Sequence, residues 1–184
     1  MAQRMDQIVV IDVESTCWSA QPPAGQTSEI IEIGVCTLDI ASGNRLQRRD
    51  ILVRPERSSV STFCTQLTTL TQDRVEEGIL FADACSVLKE KYLTRERVWA
   101  SYGDYDRTMF SSQCEALGID YPFGKRHINI KTLFALIHAL PHEIGMDAAL
   151  EMLGLPLEGT HHRADDDAWN TARLLSKLLL QKRQ

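Results

Sequence analysis

Hydrophobic positions change their period part-way along the chain. Gln7 to Val13 is nearly continuous isoleucine and valine, which suits a strand buried on both faces. Glu29 to Leu38 reads as a second strand, and Arg45 to Val53 as a third beyond the Ser42-Gly43-Asn44 turn. Ser19 to Ser28, with Pro22, Pro23 and Gly25, reads as an exposed loop between the first two. These hairpin-like connections predict a three-strand meander. A helical period follows: Phe81, Cys85, Leu88 and Tyr92 share one stripe, and Asp106, Met109, Phe110, Gln113 and Leu117 another. Arg97–Ser101 and His127–Ile130 are short strand candidates, the second leading into a helix over Lys131–Leu140. Met146–Leu153 reads as a short helix closed by Gly154 and Pro156. The last helix runs from about Asp165 to Leu180, with Ala168, Ala172, Leu175 and Leu179 toward the core. A meander followed by strands alternating with helices predicts an α/β domain with a mixed sheet and helices on both faces.

Composition narrows the class. The 184 residues carry no repeat, low-complexity tract or linker, so 1–184 reads as a single domain. No apolar run reaches the roughly 18 residues that span a bilayer. The start lacks a signal-peptide pattern, which predicts a cytoplasmic, membrane-free chain. Five widely spaced cysteines without a Cys-x-x-Cys read as buried reduced thiols rather than a disulfide frame or a zinc site. His138 and His142 have the spacing of a zinc pair, but Pro141 breaks the helix that would align them. The net charge of −5 argues against a coat protein living on phosphate attraction, yet not against a nucleic-acid enzyme whose acids hold metal ions. Locally, Arg45, Arg48, Arg49, Arg54 and Arg57 face only Asp50 and Glu56. That excess marks either a solvated edge strand or a track for phosphates. Lys177, Lys182 and Arg183 complement the last helix's C-terminus.

Three places carry chemistry. Side chains alternate along a strand, so Asp12 and Glu14 project from one face at the end of an apolar run. Two adjacent carboxylates there repel each other, and a divalent cation would relieve the cost. Asp106 heads the apolar stripe of its helix and points inward, while Asp104 is the natural N-cap. Finally, His161-His162-Arg163-Ala164-Asp165-Asp166-Asp167 opens the last helix with acids that suit its dipole. A histidine five residues ahead of an acid can lean over that face and accept a proton at neutral pH. Two registers satisfy this, His161 with Asp166 or His162 with Asp167.

The ordered set Asp12-x-Glu14, Tyr105-Asp106 and His162-x-Ala164-x-x-Asp167 resembles the three motifs of the DEDDh 3′-to-5′ exonucleases. The family pattern puts a small residue two after the histidine, and Ala164 selects the second register. Within that superfamily the chain resembles the histone-mRNA 3′-end exonucleases and their RNA-interference-regulating relatives. Asp12 to Trp18, Glu29 to Gly34, Phe63 to Thr68 and Asp166 to Arg173 carry that likeness. It departs from the branch at Leu67-Thr68-Thr69-Leu70, which lacks a glycine after Leu-Thr, and at Tyr105, where tryptophan is frequent. The 184 residues predict no appended RNA-binding domain.

The resemblance implies an RNase H-like (DnaQ-like exonuclease) fold with a mixed five-stranded sheet. Asp12, Glu14, Asp106 and Asp167 would hold two Mg²⁺ or Mn²⁺ ions, and His162 would act as general base. Ser15, Thr16, Trp18, Phe63 and Tyr105 would contact the 3′-terminal nucleotide, and Glu32 would support the site from its strand or form a surface ion pair. The substrate would be a single-stranded RNA 3′ end, cut to nucleoside 5′-monophosphates. DNA 3′ ends are the alternative, and a catalytically silent binding module a third reading. A homodimer is compatible with the likeness, although no interface stripe stands out.

Overall fold

The computed structural model describes residues 4–181. Lys182 and Arg183 of the expected basic tail lie outside them. Five strands form one mixed sheet: β1 (Arg4–Ser15), β2 (Ile30–Asp39), β3 (Arg45–Leu52), β4 (Arg97–Ser101) and β5 (His127–Asn129), in the order β3-β2-β1-β4-β5. The meander pairs antiparallel, whereas β4 joins β1, and β5 joins β4, in parallel. This is the mixed five-stranded sheet that the family resemblance implies.

Strand alternation sorts the core into two layers. Val9, Ile11 and Val13 of β1 pack with Trp99 under α3 (Phe81–Lys91) and α4 (Tyr105–Leu117). Ile8 and Val10 face the other way, with Phe134 of α5 (Ile130–Ile137), Leu150 of α6 (Met146–Met152) and Leu175 of α7 (Ala164–Gln181). Every residue of β2 from Ile30 to Leu38 is buried, as a strand covered on both faces must be. Among the described residues no helix is long and apolar enough to cross a membrane.

Three differences from the sequence expectation have physical causes. Two short helices, α1 (Thr62–Thr68) and α2 (Gln72–Glu76), occupy a stretch that shows no helical stripe. They are set by their caps, Ser61 accepting from the Cys64 N–H and Thr71 from that of Arg74. Asp104 stands at the start of α4 but does not cap it with its side chain. Its backbone is already near-helical (φ −108°, ψ 0°), and its carboxylate turns to Arg107 at 3.1 Å and the Asn129 amide at 3.1 Å. The arginines of edge strand β3 are neither simply solvated nor all free. Arg45 holds Glu158 at 3.1 Å and lies 4.3 Å from the Trp169 ring centre, while Arg48 pairs with Asp165 and Asp166. They fasten β3 to the acidic start of α7.

Candidate active site

The site begins where the apolar face of β1 runs out. Ile8 and Val10 fill the core under α7, and the next two residues on that face are Asp12 and Glu14. On β2 they lie opposite Gly34 and Glu32. A Cβ on Gly34 would sit 1.8 Å from the Ala164 carbonyl oxygen, so only glycine lets the start of α7 rest directly on the sheet. Glu32, fully buried, then holds that start. It accepts from the Arg163 guanidinium at 2.7 Å and from the Ala164 N–H at 2.9 Å, in an ion pair whose acid is buried and whose guanidinium is partly exposed. Asp166 is turned away by Arg48 and accepts from the Thr160 N–H at 2.8 Å. Asp167 instead faces β1, and one carboxylate oxygen each from Asp12, Glu14 and Asp167 lies within 4.8 Å of the others. From the opposite layer, Asp106 in the first turn of α4 is buried and accepts from the Val13 N–H at 2.9 Å. Acids from both faces of the sheet thus converge beyond the carboxyl ends of β1 and β4, the usual ligand position for parallel strands.

Burial and mutual repulsion raise the proton affinity of this cluster. Asp12 is pushed well above the ordinary carboxylate range by burial, then by Asp106 and Asp167. Glu14 rises to about 8, chiefly by burial and next by Asp167. Asp106 rises to about 7 through burial, offset in part by hydrogen bonds, and burial raises Asp167 as well. Among the described residues no ion pair reaches Asp12, Glu14 or Asp106, and that of Asp167 is with His161. Hard oxygen donors, crowded together and with no ion pair on Asp12, Glu14 or Asp106 among the described residues, fit a divalent cation of the Mg²⁺ or Mn²⁺ kind.

The histidines combine differently from either register. His161 Nδ1 lies 3.1 and 3.2 Å from the two Asp167 oxygens, while His162 reaches Asp167 through its backbone N–H at 2.9 Å. A left-handed backbone at His162 (φ 65°) stacks its ring on that of His161, with centroids 4.1 Å apart. Burial and then the neighbouring His161 lower the His162 pKa.

A cavity of about 270 Å³ opens over the acids, walled also by both histidines, Tyr105 and Lys131. Tyr105 is 55% exposed, and its hydroxyl sits 2.6 Å from the Ser15 hydroxyl. Thr16 is not in the wall: its buried hydroxyl accepts from the Glu29 N–H at 2.9 Å. Trp18 and Phe63 line a separate hollow of about 290 Å³. Tyr102, Lys131, Gly145 and Met146 also line the cavity without any role in the sequence reading, and His161, which that reading paired with Asp166 in the register it set aside, lines it as well. Lys131 has no local signature, because β5 and its turn into α5 bring it there.

The exonuclease family model (RNase_T) matches residues 9–175. Rat 3′-5′ exoribonuclease 1 is 31% identical over 185 residues, covering 95% of this chain and 53% of that protein. The chain therefore spans about half the length of this curated relative. The nuclease domain of 3′hExo, "a DEDDh family member, bound to rAMP", superposes with a TM-score of 0.86 at 29% identity, over 98% of this chain and 95% of that one. A second structure, described as 3′-end specific recognition of histone mRNA stem-loop by 3′-exonuclease, gives 0.84 at 30% identity, over 96% and 82%. On these grounds the chain belongs to the exonuclease family, within the DEDDh group that includes 3′hExo.

Proposed function

We propose that the chain is a metal-dependent 3′-to-5′ exonuclease acting on single-stranded RNA ends and releasing nucleoside 5′-monophosphates. The observation that carries this is the meeting of Asp12, Glu14 and Asp167 oxygens within 4.8 Å, with no arginine or lysine paired to them among the described residues. Asp12, Glu14, Asp106 and Asp167 would hold two Mg²⁺ or Mn²⁺ ions. When bound, such ions supply Lewis-acid activation of water and stabilisation of the departing oxygen.

The chain's own groups do the rest. His162 is the proton acceptor, since its ring is not bonded to Asp167 and its lowered pKa keeps it neutral at pH 7. His161, whose Nδ1 already meets Asp167, orients that carboxylate. Tyr105, braced by Ser15, offers the stacking surface for the terminal base. Trp18 and Phe63, in the neighbouring hollow, would meet the next part of the strand. RNA is preferred over DNA because relatives at 31% and 29% identity are described as exoribonucleases.

The test is a time course on 5′-labelled single-stranded RNA and DNA of one sequence, with Mg²⁺, Mn²⁺ or chelator. A metal-dependent ladder shortening from the 3′ end, faster on RNA and absent in Asp12→Ala, is expected. A chelator-resistant ladder, or none, overturns the reading.

A further inference from the structure

One lysine stands in the wall of the acidic cavity. Lys131, the second residue of α5, shares that wall with Asp12, Glu14, Asp106 and Asp167, and no other lysine or arginine belongs to it among the described residues. The side chain is half-buried, and its stem crosses the Gly103 backbone, where a Cβ would lie 3.9 Å from Lys131 Cδ. The stem thus passes the turn that launches α4, two residues before Tyr105.

This lysine breaks two local rules with no structural return. A cation in the first turn of a helix opposes the helix dipole, and the first turn of α5 carries no acid to offset it. Four carboxylates share its cavity, yet among the described residues none of them pairs with it, and the ion pair of Asp167 is with His161. Acids on the segments beside it are engaged elsewhere. Asp104 holds Arg107 and the Asn129 amide at 3.1 Å each, and Glu143 accepts from the Thr132 hydroxyl. Positions that break local rules without a gain in packing are expected at functional sites. An unpaired ammonium in the wall of a nucleic-acid cavity suits a phosphate, which it can hold by charge-assisted hydrogen bonds.

We propose that Lys131 is a substrate-binding residue that holds a backbone phosphate of the single strand, the one a nucleotide upstream of the scissile bond. This assignment rests on the exonuclease reading above. In that reading the four acids and their ions meet the scissile phosphate, so the charge left for Lys131 is the next along the strand. The terminal base lies on Tyr105, and the backbone leaves past Gly103 along the start of α5. Phosphate contacts fix register without reading sequence, so Lys131 sets how far the strand is drawn in, whatever its bases.

Fluorescence anisotropy of a 5′-labelled single-stranded RNA on the full chain tests this, with Ca²⁺ replacing Mg²⁺ and binding read before any shortening of the RNA. Lys131→Met should weaken binding about fivefold or more at low salt, and Lys131→Arg should keep it. The slope of log Kd against log salt should become shallower by about 0.7 in Lys131→Met, the equivalent of one phosphate contact on a single strand. A neutral methylphosphonate at the upstream linkage should weaken binding to the parent protein by a similar factor, and binding to Lys131→Met no further. The denaturation midpoint of Lys131→Met should not fall, since the lysine opposes the dipole of its own helix. Unchanged binding in Lys131→Met overturns the assignment, as does a methylphosphonate effect that adds to that of the variant. Weakened binding together with a lowered midpoint would mark a structural residue and overturn it too. Failure of the parent protein to bind the RNA at all would contradict the exonuclease reading itself, and this assignment with it.

Discussion

The Glu32 carboxylate, wholly buried in β2, accepts from the Arg163 guanidinium at 2.7 Å and from the Ala164 N–H one residue on. Strand and helix are thereby joined directly behind the acids, between His162 and Asp167. Glu32→Gln keeps the shape but leaves Arg163 without its counter-charge. Because Arg163 retains 30% exposure, the cost should be about 1–3 kcal/mol in urea unfolding, below the 3–5 kcal/mol of a fully buried broken pair. Activity should fall further than stability alone explains when assayed on fully folded protein.

Gly34→Ala tests the contact of α7 with the sheet. The new methyl would need the Ala164 carbonyl to move, so a loss of at least about 1–3 kcal/mol is expected by denaturation. A variant as stable and active as the parent would show that α7 does not seat there.

The two histidines should separate by kinetics. His162→Ala should slow turnover by roughly 10²–10⁴, the scale of general-base loss. His161→Ala should cost much less. A base must be deprotonated to work, so kcat/KM should rise with pH through a value below the usual histidine pKa near 6.5, then level off. Losing that acid limb in His162→Ala, and keeping it in His161→Ala, is the expected pattern.

Stability without metal should depend on pH in an unusual sense. Glu14 and Asp106 bind protons more tightly folded than unfolded, with folded values of about 8 and about 7. Between the ordinary carboxylate range near 4 and those values the native state holds more protons, so this cluster's contribution falls as pH rises. In chelator the melting temperature should therefore decline from about pH 5 to 8. Added Mg²⁺ should raise it, most strongly at the alkaline end.

Tyr105→Ala should raise KM for a short oligonucleotide by about 5–150-fold, matching the 1–3 kcal/mol of one base stack. Tyr105→Phe keeps the ring and loses only the 2.6 Å contact with Ser15, so its KM should rise much less.

Much of this was legible before the fold was seen. The Ile-Val run ending in Asp12-x-Glu14 encodes both the central strand and the acids it presents, because alternation puts them on one face. Asp106 was recoverable from the apolar stripe it heads. Short α1 and α2 were not, since Cys64, Thr68 and Val75 are too few buried positions to make a period. Nor could periodicity show that Arg48 would take Asp166, or that His161 rather than His162 would put its ring on Asp167. Those outcomes depend on a partner strand and on one left-handed residue. Thr16, which the family resemblance implies at the nucleotide, instead turns its hydroxyl inward to the Glu29 N–H.

The most direct test follows the reacting phosphate itself. An RNA labelled at its 3′-terminal internucleotide phosphate should release that label first, wholly as nucleoside 5′-monophosphate, and only with Mg²⁺ or Mn²⁺ present. Label appearing as a 3′-monophosphate, as an internal fragment, or in the presence of chelator would contradict the two-metal assignment of Asp12, Glu14, Asp106 and Asp167.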